Sequence, residues 1–349
     1  MEREPGPMTL SRYAWEPSYS GIQTFMKLPL CLTPADLEAG KIDVAVGGVP
    51  WDGTNTARAG THLGPQAVRR CDNLWAPPYG RPHLHTRIDP FEHLQIVDYG
   101  DAEVIVGNPR RTYDSIRSFV REIAAAGAIP IIIGGDHGIT LPNVLGVADV
   151  HRDGRLGVIQ FDAHTDTAPL GEDGLGNHGT QMRQLIEEDV LAGERLIQVG
   201  IRGYWPPPEI TAWMEEREIK THYMAEVQHR GFGAVIEDVI SEAQEVADQI
   251  FLTVDVDSAD PAYAPGTGSP EPGGLTSREL LWAVRRIAHE LELVGMDMVE
   301  VSPPYDVGNN ITAMLGHRVI SEALTGVAMR RAGVETADYL DPHAAGATR

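Results

Sequence analysis

Short apolar runs recur along the chain at 44–49, 94–97, 129–133, 156–161, 196–199, 250–254 and 294–299. Each is four to six residues long and rich in Val, Ile and Leu, the length and composition of a buried strand. Between several of them the spacing changes to that of a helix. Ile116, Phe119, Val120 and Ile123 fall on one face of 112–126, and Leu280, Leu281, Val284, Ile287 and Ala288 recur through 279–291. The second of these opens on Thr276-Ser-Arg-Glu279, a capping box in which each side chain takes the other's free backbone donor. A last helix is predicted from Ile311 to about Arg331.

Strands that alternate with helices, and that are apolar on both faces, predict an α/β fold built on a mainly parallel central sheet. No repeat or low-complexity linker divides the chain, and the Pro- and Gly-rich pieces at 204–208 and 264–274 are short enough for loops. The expected organisation is an irregular arm over 1–40 with one short helix, a single domain over 41–335, and a tail over 336–349.

Charge and composition narrow the partners. Against 28 Lys and Arg stand 50 Asp and Glu, so the basic face that nucleic acid requires is not expected. No run approaches the roughly 20 apolar residues of a membrane span. The opening residues mix charge and proline and lack the apolar core of a secretory signal. Cys31 and Cys71 are too few for a disulfide framework and suit a reducing compartment. A cytoplasmic protein is expected.

The chemistry lies where the apolar runs end. The run at 129–133 continues into Gly134-Gly135-Asp136-His137-Gly138, and 156–161 into Asp162-Ala-His164-Thr-Asp166. The run at 250–254 continues into Asp255-Val-Asp257, and 294–299 into Glu300-Val-Ser-Pro-Pro-Tyr-Asp306. Parallel strands bring such ends to one rim, where ligands of open α/β sheets bind. Alternation along extended backbone would point Asp162, His164 and Asp166 one way, and Asp255 and Asp257 another strand's way into the same space. With His137 this gathers two imidazoles and four carboxylates. Carboxylates packed so closely repel, and two divalent ions roughly 3.5–4 Å apart remove the conflict. Imidazole with carboxylate suits Mn, Zn, Co or Ni better than Ca or Mg. His83, His85, His222, His229, His289 and His317 lack neighbouring ligand types and read as structural or exposed; Gly266 and Gly268 are followed by no phosphate-loop lysine.

At these residues the chain resembles the ureohydrolase family of arginase and agmatinase, through GGDHG, FDAHTD, NHGT, VDVDSADPAYAPGTGSPEPGG and GMDMVEVSPPYD, in order, from Val44 to Gly326. The agmatinase-like branch fits better than arginase. The resemblance implies a three-layer α/β/α sandwich, assembled as a homo-oligomeric trimer or hexamer, with a related second subunit as the variant. It implies two metal ions, Mn²⁺ first and Ni²⁺ second. His137 and Asp166 would hold one, His164 and Asp257 the other, with Asp162 and Asp255 bridging. Asp166, His178 and Glu300 would be catalytic: Asp166 passing a proton, His178 relaying protons to the leaving amine, and Glu300, with His178, binding the cationic guanidino substrate.

Metal-activated water would then attack the guanidinium carbon and release urea. Agmatine, giving putrescine, is the expected substrate, with Glu172 and Asp173 placed to meet its ammonium. Three departures from the agmatinase pattern bring in guanidinobutyrate, free guanidine and substituted guanidines or biguanides of the metformin type. They are Thr61-His62 for Ala-Arg, Gln181-Met182 for Pro-Phe, and Tyr204-Trp205 after Gly-Ile-Arg-Gly. An inactive partner subunit would have lost ligands, and none is lost here. A histone-deacetylase-like enzyme would carry a His-His pair that this chain lacks.

Overall fold

The computed structural model describes residues 3–13, 16, 19–71, 82–151, 154–171, 176–308 and 310–336. Eight strands form one sheet: β1 Val44–Gly48, β2 Ile96–Asp101, β3 Ile129–Ile133, β4 Leu156–Phe161, β5 Leu196–Ile201, β6 Lys220–Tyr223, β7 Gln249–Asp255 and β8 Leu293–Val299. Their order across the sheet is β2-β1-β3-β8-β7-β4-β5-β6, and every neighbouring pair is parallel. Seven of them answer to the seven apolar runs. The eighth, β6, reads Lys-Thr-His-Tyr; it is a short edge strand, and half-exposed polar residues give no apolar signal.

The strands' two-residue period splits the core into two layers. Ile131, Ile133, Ile159, Phe161, Leu252 and Val254 face helices Phe232–Val246, Ser277–Glu290 and Ile311–Arg331. Their neighbours Ile132, Val158 and Phe251 face the other way, onto helices Pro109–Ala125, Thr140–Ala148 and Gln181–Glu187. The result is the expected three-layer α/β/α sandwich. The arm is not free of the sheet. Leu30 bridges Asp98 of β2, and the Asp98 carboxylate accepts the Phe25 amide at 2.7 Å, so the arm covers an edge that would otherwise be open. Its short α-helix, Pro34–Gly40, has a capping box of its own, Thr33 with Asp36.

The capping box read from the sequence is present: Glu279 N–H donates to Thr276 Oγ1 at 3.2 Å, and Thr276 N–H to Glu279 Oε2 at 2.8 Å. Loss of such a cap costs about 1 kcal/mol. Thr276→Ala is therefore expected to lower the free energy of unfolding in chemical denaturation by that amount, with Thr276→Ser close to the parent; an unchanged free energy in the alanine variant would show that the cap contributes nothing.

Candidate active site

The four strand ends marked by the sequence belong to β3, β8, β7 and β4, four consecutive strands at the centre of the sheet. Because all run parallel, their carboxyl ends open on the same rim.

After β3, the Gly134 amide donates to Met298 O at 2.8 Å and the Glu300 amide donates to Gly135 O at 2.9 Å, which ties this turn to the end of β8. Gly135 has no room for a side chain, since a Cβ there would fall on the Trp51 carbonyl. Asp136 caps the single turn His137–Ile139, accepting the Gly138 amide at 3.1 Å. It also accepts the backbone N–H and hydroxyl of Thr54 at 2.8 and 2.7 Å. Burial, and then the charge of Glu300, push the Asp136 carboxyl up to about 7.

Pleat alternation is not what aligns the next ligand types. β4 stops at Phe161, and residues 162–166 are a turn: the His164 amide donates to Asp162 Oδ1 at 2.7 Å, and Asp166 adopts a left-handed φ of 54°. β7 ends on Asp255, and Asp257 lies in the one-turn helix Val256–Ser258, its amide donating to Asp255 Oδ1 at 2.8 Å. The two carboxylate pairs face inward because the first member of each caps the turn that carries the second. Capping turns, and not strand alternation, bring these side chains together.

The convergence is close. His137 Nδ1 lies 2.9 Å from Asp166 Oδ2, 3.0 Å from Asp162 Oδ2 and 3.3 Å from Asp255 Oδ2. His164 Nδ1 lies 3.0 Å from Asp257 Oδ2 and 3.5 Å from Asp162 Oδ1. Two overlapping groups able to hold a metal ion result, His137-Asp162-Asp255 and Asp162-His164-Asp257, sharing Asp162. The Asp136, Asp166, Asp255 and Asp257 carboxyls are at most 6% exposed.

Whether the residues fit cations is tested by their electrostatics. His137 Nδ1 is buried and makes no hydrogen bond despite three nearby carboxylates. Burial, with the charge of Asp162, pushes Asp166 up to about 6. Burial, with Asp257 and Asp162, pushes Asp255 well above the carboxylate range, and Asp257 is raised too, first by burial. Asp162 alone is lowered: burial opposes ionisation there, but the two imidazoles overcome it. Such shifts mark an acidic cluster short of positive charge, which divalent cations among these oxygens would supply. The donors fit.

Glu300 and His178 flank the cluster. Glu300 also has a left-handed φ, 62°; sparsely populated backbone at two of the site's carboxylates is strain held by the surrounding fold. Its Oε1 accepts the His137 amide at 2.8 Å and lies 2.8 Å from His178 Nδ1, while Oε2 is buried with no hydrogen bond. His178 Nε2 accepts the Thr56 amide at 3.2 Å and lies 2.8 Å from the Thr56 hydroxyl. An acceptor at Nε2 puts the neutral ring's proton on Nδ1, towards Glu300. Burial works against a charged His178, but Glu300 outweighs it and raises the ring to about 9.

Thr56, His164, Asp166, His178, Asp255, Asp257 and Glu300 line a cavity of about 360 Å³, together with Trp205 and Ser269. Tyr204, the other aromatic expected near the rim, is fully exposed to solvent. Glu172 and Asp173 lie outside the described residues. His83 pairs with Glu322, His222 with Glu226 and Glu242, and His289 with Val334 O, all away from the cavity.

Nothing in the local pattern marks Thr56, which meets His178 only once the 51–56 loop folds over it. Gln160 and Gln181 were also missed as site residues. Gln160 Nε2 donates to Asp162 Oδ2 at 2.7 Å and Gln181 Nε2 donates to Asp166 Oδ2. A buried amide inside the apolar run LGVIQF was the available signal for Gln160.

If the cluster is a cation centre, Mn²⁺ added to metal-depleted protein should raise its stability by about 2.7 kcal/mol at 100 times the dissociation constant. Asp255→Asn should stabilise the metal-depleted form, by removing a buried carboxyl that resists ionisation, and abolish the Mn²⁺ response. Thermal melts with and without Mn²⁺ check both; equal melting shifts in parent and variant would contradict the assignment.

Comparison with known proteins agrees. Residues 42–326 match the model of the arginase family. A guanidinopropionase from Pseudomonas aeruginosa is 41% identical over 314 residues, covering 88% of this chain and 92% of that protein. An agmatinase from Chromobacterium violaceum is 35% identical, covering 88% and 89%. Among solved structures, the Trypanosoma cruzi formiminoglutamase with Mn²⁺ superposes with a TM-score of 0.75 at 25% identity, covering 83% of this chain and 95% of that one. The chain belongs to the arginase family, and it is a ureohydrolase, an enzyme that hydrolyses the C–N bond of a guanidino compound.

Proposed function

We propose that this enzyme binds the guanidinium of agmatine on Glu300, over a pair of divalent cations, and hydrolyses it to urea and putrescine. The observation that carries the reading is Glu300 Oε2, a buried carboxylate oxygen at the cavity wall with no partner of its own. A guanidinium N–H pair supplies the missing donors and charge, and it would be held face-on to the cluster.

When bound, two divalent cations supply water activation, of the kind that takes a water pKa from about 15.7 to about 7. The ligand set proposed for them is His137 with Asp166, His164 with Asp257, and Asp162 and Asp255 between; Mn²⁺ is the first choice and Ni²⁺ the second for such mixed donors. The remaining steps belong to the protein. The Asp166 carboxylate, at the cavity wall, would take a proton from the attacking water and return it to the departing nitrogen. His178 carries a proton on Nδ1 against Glu300 and exchanges it with the leaving amine and solvent. Thr56 fixes the ring in that tautomer.

For the tail, no Lys or Arg side chain is among the described residues that line the cavity. A carboxylate tail would find no counter-charge there, whereas an ammonium would meet Trp205 and the acidic wall. A guanidino acid is the second reading, favoured by the 41% identity to a guanidinopropionase. Two buried cysteines, too few for a disulfide framework, support the cytoplasmic location we propose with it, and a homo-oligomer of single-domain chains completes the proposal.

Urea release should be measured from agmatine, guanidinopropionate, guanidinobutyrate, guanidine and dimethylbiguanide with Mn²⁺ and with Ni²⁺. Agmatine is expected to give the highest kcat/KM; an inert agmatine beside an active guanidino acid would overturn the tail assignment. Glu300→Gln should lower kcat/KM at least about 100-fold by weakening a charge-assisted pair in the desolvated site. Thr56→Val should reduce kcat about tenfold and leave KM near the parent value, the loss of one neutral hydrogen bond to the relay; a KM effect alone would contradict the role given to Thr56.

A further inference from the structure

His137 turns Nδ1 to the carboxylate cluster and Nε2 away from it. Nε2 lies 2.9 Å from Thr253 Oγ1. Thr253 is inside β7, two residues before Asp255, and stands directly opposite Asp297 of β8 in the sheet register. Both are completely buried.

Asp297 is the anomaly. It is a carboxyl in the middle of the apolar strand Leu293–Val299, between Met296 and Met298, and nothing in the proposed reaction touches it. It does not line the cavity. Its Oδ2 accepts the Thr140 hydroxyl at 2.8 Å and the Asn143 amide at 2.9 Å. The Thr140 and Thr253 hydroxyl oxygens are 3.4 Å apart. Thr140 and Asn143 come from helix Thr140–Ala148, which begins directly after the turn bearing His137. A carboxyl buried in an apolar layer costs stability unless its partners compensate it, so its place behind a ligand-type histidine calls for a role.

The chemistry of imidazole supplies one. A neutral ring has one proton. If Nε2–H donates to Thr253, the Nδ1 lone pair is left facing Asp162, Asp166 and Asp255. Thr253 can accept that proton and donate its own hydroxyl hydrogen to Thr140, whose hydroxyl donates to Asp297, so the carboxylate polarises the chain and makes Nδ1 a better donor.

We propose that Thr253 and Asp297 are positioning residues for His137, holding its proton on Nε2 and aiming Nδ1 at the cluster, and that they set the affinity of this centre for divalent cations. The proposal rests on the reading of the cluster as a cation centre. Asp297 acts through Thr253 and His137 and never meets the substrate.

The test is calorimetric titration of Mn²⁺ into the metal-depleted full chain, for the parent, Thr253→Val, Thr253→Ser and Asp297→Asn, with urea release followed as a function of Mn²⁺. Valine keeps the shape and loses the hydroxyl; serine keeps the hydroxyl. Thr253→Val and Asp297→Asn are expected to weaken Mn²⁺ binding about 10–100-fold, in line with other outer partners of metal-bound histidines, and Thr253→Ser to stay near the parent. The activity of the valine variant should return as Mn²⁺ is raised, with KM for the guanidino substrate unchanged. A valine variant that binds Mn²⁺ as tightly as the parent, with only a lower melting temperature, would overturn the proposal, because a purely structural role predicts that result. Should valine fail to fold, Asp297→Asn against Thr253→Ser decides on the same criterion. A parent that takes up no Mn²⁺ would overturn the cation reading itself, and this proposal with it.

Discussion

Mutual repulsion among buried carboxylates governs this active site. Asp162, Asp166, Asp255 and Asp257 crowd two imidazoles at the centre of a sheet rim, and three of the four resist ionisation there. The fold pays out stability to keep them together, and it does so through turn chemistry. Asp162 and Asp255 each accept a backbone amide two residues on, so each caps the turn that delivers His164 or Asp257. The same oxygens that would hold cations therefore hold the backbone in shape.

Behind the rim lies a second layer of buried polar groups that serves the first. The Thr221 hydroxyl donates to Gln198, Gln198 to Gln160, and Gln160 to Asp162, a chain running across β6, β5 and β4. Gln181 supports Asp166 from the following helix. On the opposite side, Asp136 binds the loop that presents Thr56 to His178. Glu300 shares in this rigidity: one of its oxygens accepts the His137 amide, and the other is buried without a hydrogen bond, which is the feature on which the proposed guanidinium binding rests.

Much of this was legible in the sequence because continuous apolar runs ending in Asp, His and Glu are unusual, and parallel strands bring such ends together. The helix Ile311–Arg331 and the Thr276 capping box were equally plain. Other elements were silent for physical reasons. Helix Thr140–Ala148 is buried on nearly every face and so lacks an amphipathic period, and β6 is polar because it is an edge. Alternation within a strand was the wrong argument for Asp162 to Asp166, since capping turns replace the strand there. Asp297 was a missed signal of the opposite kind, a charge inside an apolar run that local periodicity gives no reason to expect.

Counting ions tests the central claim most directly. Metal-depleted full-length protein, dialysed to equilibrium against Mn²⁺ and analysed by mass spectrometry for bound metal, should retain two ions per chain, and His137→Ala or Asp162→Ala should lower that number. A chain that retains none, or whose bound metal is unaffected by both substitutions, would contradict the account.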